Sequence, residues 1–149
     1  MYDKPMKIFV YSLWLLTVLI TSALSKETYG SVVVSKVVSI YDGDTFKVNI
    51  EGYPAIVGEK MSVRVNGIDT PEIRGKCAQE KELAHKAKQI VVELMKKAKV
   101  VELRNMQRDK YFRIVSDVYI DGKNLSFLLI EKNLAVVYDG GTKTKNWCE

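Results

Sequence analysis

The hydrophobic pattern of this chain alternates every second residue, switches once to a period near 3.6, and then alternates again. "SVVVSKVVSI" (Ser31 to Ile40) reads as a strand. "TFKVNI" (Thr45 to Ile50) reads as its partner across Asp42-Gly43, a strong short hairpin signal. "EGYPAIVGEK" reads as a loop. "MSVRVNGI" (Met61 to Ile68) is a third strand, whose alternation puts Arg64 on the face opposite Val63 and Val65. "DTPEIRGKCAQ" is punctuated by Pro71 and Gly75 and reads as a loop. From Glu80 to Ala98 the period changes: Leu83, Ala87, Ile90, Val91, Leu94 and Met95 fall on one helical face. His85 lies outside that stripe and reads as a solvated helix residue. "VVELRN" (Val100 to Asn105) and "RIVSDVYI" (Arg113 to Ile120) are a fourth and a fifth strand. Asp121-Gly122 turns the chain into a short second helix over Leu125 to Asn133, and a basic, Gly-rich tail follows.

Three strands, a helix and two strands fit an α+β barrel of the OB type: five strands in a Greek key, one main helix across an end and a short second helix. The barrel domain spans 26–149. Residues 1–25 read differently. Lys4 and Lys7 precede an uncharged run, Ile8 to Leu24, and small residues follow at Ala23 and Ser25. That is the order of a secretory signal peptide. An uncleaved membrane anchor is the alternative, because 17 residues reach the lower end of the spanning range. The expected location is therefore secreted or periplasmic, or else membrane-anchored and facing away from the cytoplasm. Cleavage would remove two lysines and Asp3 and leave a net charge of +4 in place of +5. A basic exported domain suggests an anionic partner, nucleic acid foremost. The two cysteines, Cys77 and Cys148, suggest one disulfide in an oxidising compartment, with two free thiols as the alternative. Neither lies in a CxxC or Cys/His cluster, and His85 is the sole histidine, so zinc is improbable.

The chemistry-bearing residues cluster by position. A turn explains Asp42-Gly43, but it needs no second aspartate, and Asp44 follows directly. Arg64 is in the third strand; Asp69, Thr70 and Glu72 come just after it; Arg113 opens the fifth strand. Carboxylates converging near arginines suggest a hard cation and a phosphate. An EF-hand reading of "DGDTFKVNIEGY" fails, since it lacks glycine at the sixth place and glutamate at the twelfth.

"DGDT", then "R-x-x-x-x-D-T-P-E" (Arg64 to Glu72), then "DKYFR" (Asp109 to Arg113) together resemble the staphylococcal nuclease family, over roughly Val34 to Tyr138. The resemblance implies a calcium-dependent phosphodiesterase on DNA, RNA or both, working as a monomer. By position, Asp44, Asp69 and the Thr70 carbonyl correspond to the Ca2+ ligands. Glu72 corresponds to the residue that orients or deprotonates the attacking water. Arg64 and Arg113 correspond to the phosphate clamps, Lys110 and Tyr111 to substrate contacts, and Tyr138 to a tyrosine beside the base.

Three departures accompany the resemblance. Phe112 stands where the family pattern has glycine, so it either strains a left-handed turn or offers a base a stacking surface. The chain ends soon after Tyr138, too soon for the family's long C-terminal helix. A Cys77–Cys148 disulfide would then pin the short tail across the loop near the site. The loop after Glu72 carries Arg74 and Lys76 and differs in length and charge. Lys143 and Lys145 read as solvated charge. The rival from another class is a catalytically silent OB module that only binds nucleic acid; an oligosaccharide-binding barrel has only Trp147 to stack on once Trp14 leaves with the signal.

Overall fold

The computed structural model describes residues 27–149, so the N-terminal apolar run lies outside the described residues. The elements run β1 (Val32–Val33), β2 (Lys36–Ile40), β3 (Thr45–Asn49), α1 (Ala55–Gly58), β4 (Met61–Val65), β5 (Ile68–Asp69), α2 (Ala78–Lys97), β6 (Val101–Arg108), β7 (Ile114–Ile120), β8 (Lys123–Asn124), α3 (Leu125–Glu131) and β9 (Val136–Val137).

The main sheet has the order β1-β6-β7-β4-β3-β2, antiparallel throughout except for the parallel pair β4 and β7. Its first and last strands are halves of one segment, joined only by Val34 and Ser35. That short link brings the two sheet edges together: Val34 N–H donates to Val101 O on one side and Ser35 N–H to Asn49 O on the other. The sheet therefore curls on itself as an OB-type half-barrel, with its two end strands meeting at the Val34–Ser35 link.

The barrel fills by strand alternation. Inward residues of β3, β4 and β7 (Phe46, Val48, Val63, Val65, Val118) are fully buried, as is Leu103 of β6. Helix α2 covers one end with Ala84, Ala87, Val91 and Met95, while Leu83, Ile90 and Leu94 flank that line half-buried. His85 is exposed, as expected. Leu125 and Leu129 of α3 complete the core, with Asn124 capping that helix by accepting from Ser126 N–H at 2.8 Å.

Three local expectations change. Ser31 to Ile40 is two strands, because closure needs a bend. "EGYPAIVGEK" contains the one-turn helix α1, in which Gly58 packs so closely that a Cβ there would lie 2.8 Å from Ile50 O. The third strand stops at Val65, and β5 pairs separately with β9, Asp69 opposite Val136. Gly43 is not in the left-handed region. Glycine is needed there for close approach: a Cβ would lie 3.0 Å from both Ala87 Cβ and Thr70 Cγ2. Among the described residues no helix follows β9, and none is long and apolar enough to cross a membrane.

Candidate functional site

Register explains how residues far apart in sequence meet. Thr45 pairs with Arg64, and Arg64 with Val115, across β3, β4 and β7. Arg113 precedes Val115 by two residues and so shares the face of Arg64. Tyr138 arrives from the opposite side, because β9 pairs with β5 and Tyr138 N–H donates to Gly67 O at 2.9 Å. Arg64, Lys110, Tyr111, Arg113 and Tyr138 thus line one open cavity of about 410 Å³.

The carboxylates form a second group behind Arg64. Asp44 is 1% exposed. Its Oδ1 accepts from Thr45 Oγ1 at 2.9 Å and pairs with the Arg64 guanidinium; its Oδ2 accepts from Thr70 N–H at 3.1 Å and Thr70 Oγ1 at 2.9 Å. The turn below is held by Asp42, whose Oδ1 accepts from Asp44 N–H and Thr45 N–H at 3.1 and 2.8 Å. Burial pushes the Asp42 carboxyl above the usual range, against the Thr45 N–H and the Arg64 charge. Arg64 also donates to Ile68 O at 3.1 Å and reaches Asp69 Oδ1 at 3.4 Å. Among the described residues, Arg64 is therefore the one whose side chain pairs with the buried carboxylates and also lines the cavity.

Arg113 sits at the tip of the β6–β7 hairpin. Its Nε donates to Asp109 Oδ2 at 2.8 Å, which leaves both Nη groups without a hydrogen-bond acceptor among the described residues, the guanidinium lying 5.3 Å from the Tyr111 ring centre. Burial alone would raise the Asp109 carboxyl, but the N–H groups of Arg113 and Tyr111 and the Arg113 guanidinium outweigh it and hold the group below its usual range. Phe112 adopts φ +62°, the left-handed turn that is one of the two alternatives for this position. A non-glycine residue there costs about 1–2 kcal/mol. The Arg108 guanidinium lies 4.1 Å from the Phe112 ring centre, and Arg108 donates to Phe112 O at 2.9 Å. That clamp over-determines the turn and keeps Arg113 on the cavity face.

Two participants are not evident from the sequence. Glu80 is a buried carboxylate at the start of α2 that accepts from Lys76 N–H at 2.7 Å and Glu72 N–H at 3.4 Å, so it shapes the loop bearing Glu72. Gly75 makes room for it, since a Cβ there would lie 2.4 Å from Glu80 Cδ. Gly75→Ala should break the Glu80 bond to Lys76 and destabilise the fold by about 1–3 kcal/mol. Urea unfolding measures this, and an unchanged midpoint would show that Glu80 adapts freely. The second participant is Lys143. Read from sequence as solvated charge, it instead binds Asp69 Oδ1 at 2.8 Å and Glu72 Oε1 at 2.6 Å. Burial works against its ammonium, but the two carboxylates outweigh that and hold its pKa above the ordinary lysine value. The Cys77–Cys148 disulfide is formed, and Trp147 is buried, so the tail carrying Lys143 is fixed against the fold.

The donor set suits a hard divalent cation. It is all oxygen, and among the described residues the three carboxylates of Asp44, Asp69 and Glu72 pair with the cations of Arg64 and Lys143 alone. The four lone-pair positions of Asp44 are filled, so a cation must exchange with one of its donors. Asp69 Oδ2 has no protein donor among the described residues.

A family model described as staphylococcal nuclease homologue matches residues 62–147. Endonuclease YncB of Bacillus subtilis (strain 168) is 34% identical over 107 residues, covering 68% of this chain and 48% of that protein. Staphylococcal-like nuclease CAN1 of Arabidopsis thaliana is 30% identical over 95 residues, covering 62% of this chain and 27% of that protein. The chain thus matches about half of the first relative's length and about a quarter of the second's.

Proposed function

We propose, since this chain belongs to the staphylococcal nuclease family, that it is a calcium-dependent nuclease that hydrolyses phosphodiester bonds of DNA, RNA or both. The observation that carries this reading is the double role of Arg64, which joins the buried carboxylates to a cavity lined by a second arginine. A phosphodiester is the ligand that would use all of these groups at once. Two guanidiniums on one face can each present a planar fork to phosphate oxygens. Asp44, Asp69 and the Thr70 carbonyl are the groups that would hold the cation. When bound, calcium would supply positive charge to offset the charge that gathers on the phosphate as water attacks. Glu72, half exposed at the edge of the carboxylate group, accepts the proton of that water. Lys110 and Tyr111 on the hairpin tip and Tyr138 across the cavity contact the strand on either side of the scissile bond.

The proposed location is outside the cytoplasm. It is supported by the order of residues 1–25, and a disulfide between Cys77 and Cys148 suits an oxidising compartment.

The test is digestion of single-stranded DNA and of RNA in calcium and in excess chelator. Cleavage of at least one substrate in calcium, abolished by chelator, is expected. Binding without cleavage in calcium would leave the silent nucleic-acid-binding module as the better reading.

A further inference from the structure

Lys143 and Glu72 stand five residues from Cys148 and Cys77 respectively, and those cysteines are joined. The tail between them is held at both ends. Tyr138 is hydrogen-bonded to Gly67 before it; Trp147 is buried and Cys148 is cross-linked after it. The tail makes its own turn in between, with Tyr138 Oη donating to Gly141 O at 2.7 Å and Gly141 N–H donating to Asp139 at 2.9 Å. A lysine on a free tail would lose backbone entropy as well as rotamer entropy on docking. Here the tether has already restricted the backbone. Lys145, two residues on, lies over the Trp147 ring at 5.5 Å.

We propose that Lys143 is a built-in competitor ion, a tail-borne ammonium that holds Asp69 and Glu72 in place of a divalent cation and so sets the cation concentration at which the site loads. The inference rests on the metal-site reading given above. Its ground is geometric. One ammonium contacts a carboxylate proposed to hold the cation and the carboxylate proposed to receive the water's proton, at 2.8 and 2.6 Å. Both charges cannot be satisfied by Lys143 and a divalent cation at full strength, because like charges a few ångströms apart repel strongly in a partly buried site. The ammonium must therefore move aside, at least from Asp69, whenever the cation binds there.

The test is calcium titration of the full-length chain by calorimetry, without nucleic acid, on wild type, Lys143→Met, Lys145→Met and Asp69→Asn. Lys143→Met should tighten calcium binding by at least about tenfold, the size expected for removing one charge at this distance. Lys145→Met carries the same net charge and should stay within about twofold of wild type. Unchanged or weakened binding in Lys143→Met overturns the proposal, and weakened binding would show that Lys143 positions the carboxylates. Equal tightening in both lysine variants overturns it too, as an effect of net charge. If wild type and Lys143→Met bind no more calcium than Asp69→Asn, the metal-site reading itself fails. Tight wild-type binding that Lys143→Met leaves unchanged sinks the competitor role alone.

Discussion

On the proposed nuclease reading, Glu72→Gln should lower the rate of phosphodiester cleavage by about 10²–10⁴-fold, the usual contribution of a positioned general base. The substitution keeps the shape of the side chain and an oxygen for Lys143, which now sits 2.6 Å from Oε1. It removes the ability to take a proton at neutral pH. The backbone around Glu72 is fixed independently, by Gly75 N–H donating to Glu72 O at 2.8 Å and by Glu80 beneath the loop. The variant should therefore fold normally and, at saturating calcium, bind nucleotide about as well as wild type. Single-turnover cleavage of single-stranded DNA in calcium, beside a nucleotide-binding titration, separates the two effects. A rate near that of wild type removes Glu72 from the chemistry. A rate loss matched by an equal loss of nucleotide affinity makes it a binding residue instead.

How much of this could be read in advance depends on the range over which each contact is set. Asp44, Arg64 and Thr45 meet through a hairpin and the next strand, so alternation and turn chemistry alone bring them together. Asp69 and Thr70 follow β4 closely, and Arg113 follows from the parallel pairing of β4 with β7. The left-handed turn at Phe112 was legible from a glycine-like position, and its clamp by Arg108 was not, because stacking depends on side-chain placement across the hairpin. The bend between β1 and β2 was hidden for a similar reason: Val32 to Ile40 alternates well enough as one strand, and only closure of the barrel splits it. Lys143 was the largest omission. It lies 71 residues beyond Glu72 in a segment with no hydrophobic period, where a lysine is most often solvated. The signal that could have found it was the cysteine pair, because a bridge to Cys77 delivers whatever surrounds Cys148 to the loop bearing Glu72.

Breaking that bridge is the change with the largest expected effect on stability. The cross-link joins residues 71 apart. In the chain-entropy account a loop of this size restricts the unfolded chain by roughly 4 kcal/mol. For a domain of this length, with an unfolding entropy of about 2.1 cal/mol/K per residue, that loss corresponds to a fall in Tm on the order of 15 °C. The double variant Cys77→Ser and Cys148→Ser isolates the cross-link well. Cys77 is the N-cap of α2, its sulfur accepting from Glu80 N–H at 3.3 Å, and serine is a good N-cap in the same place. Trp147 remains as an apolar anchor beside Ala135 and Val136, so the tail keeps part of its docking energy. Thermal unfolding of wild type with and without reductant should reproduce the shift seen in the serine variant. Equal midpoints in all three samples would mean that Trp147 and the β5–β9 pairing hold the tail unaided. A fall in wild type under reductant that exceeds the variant's would instead point to a free thiol at Cys77 as a poorer cap than serine.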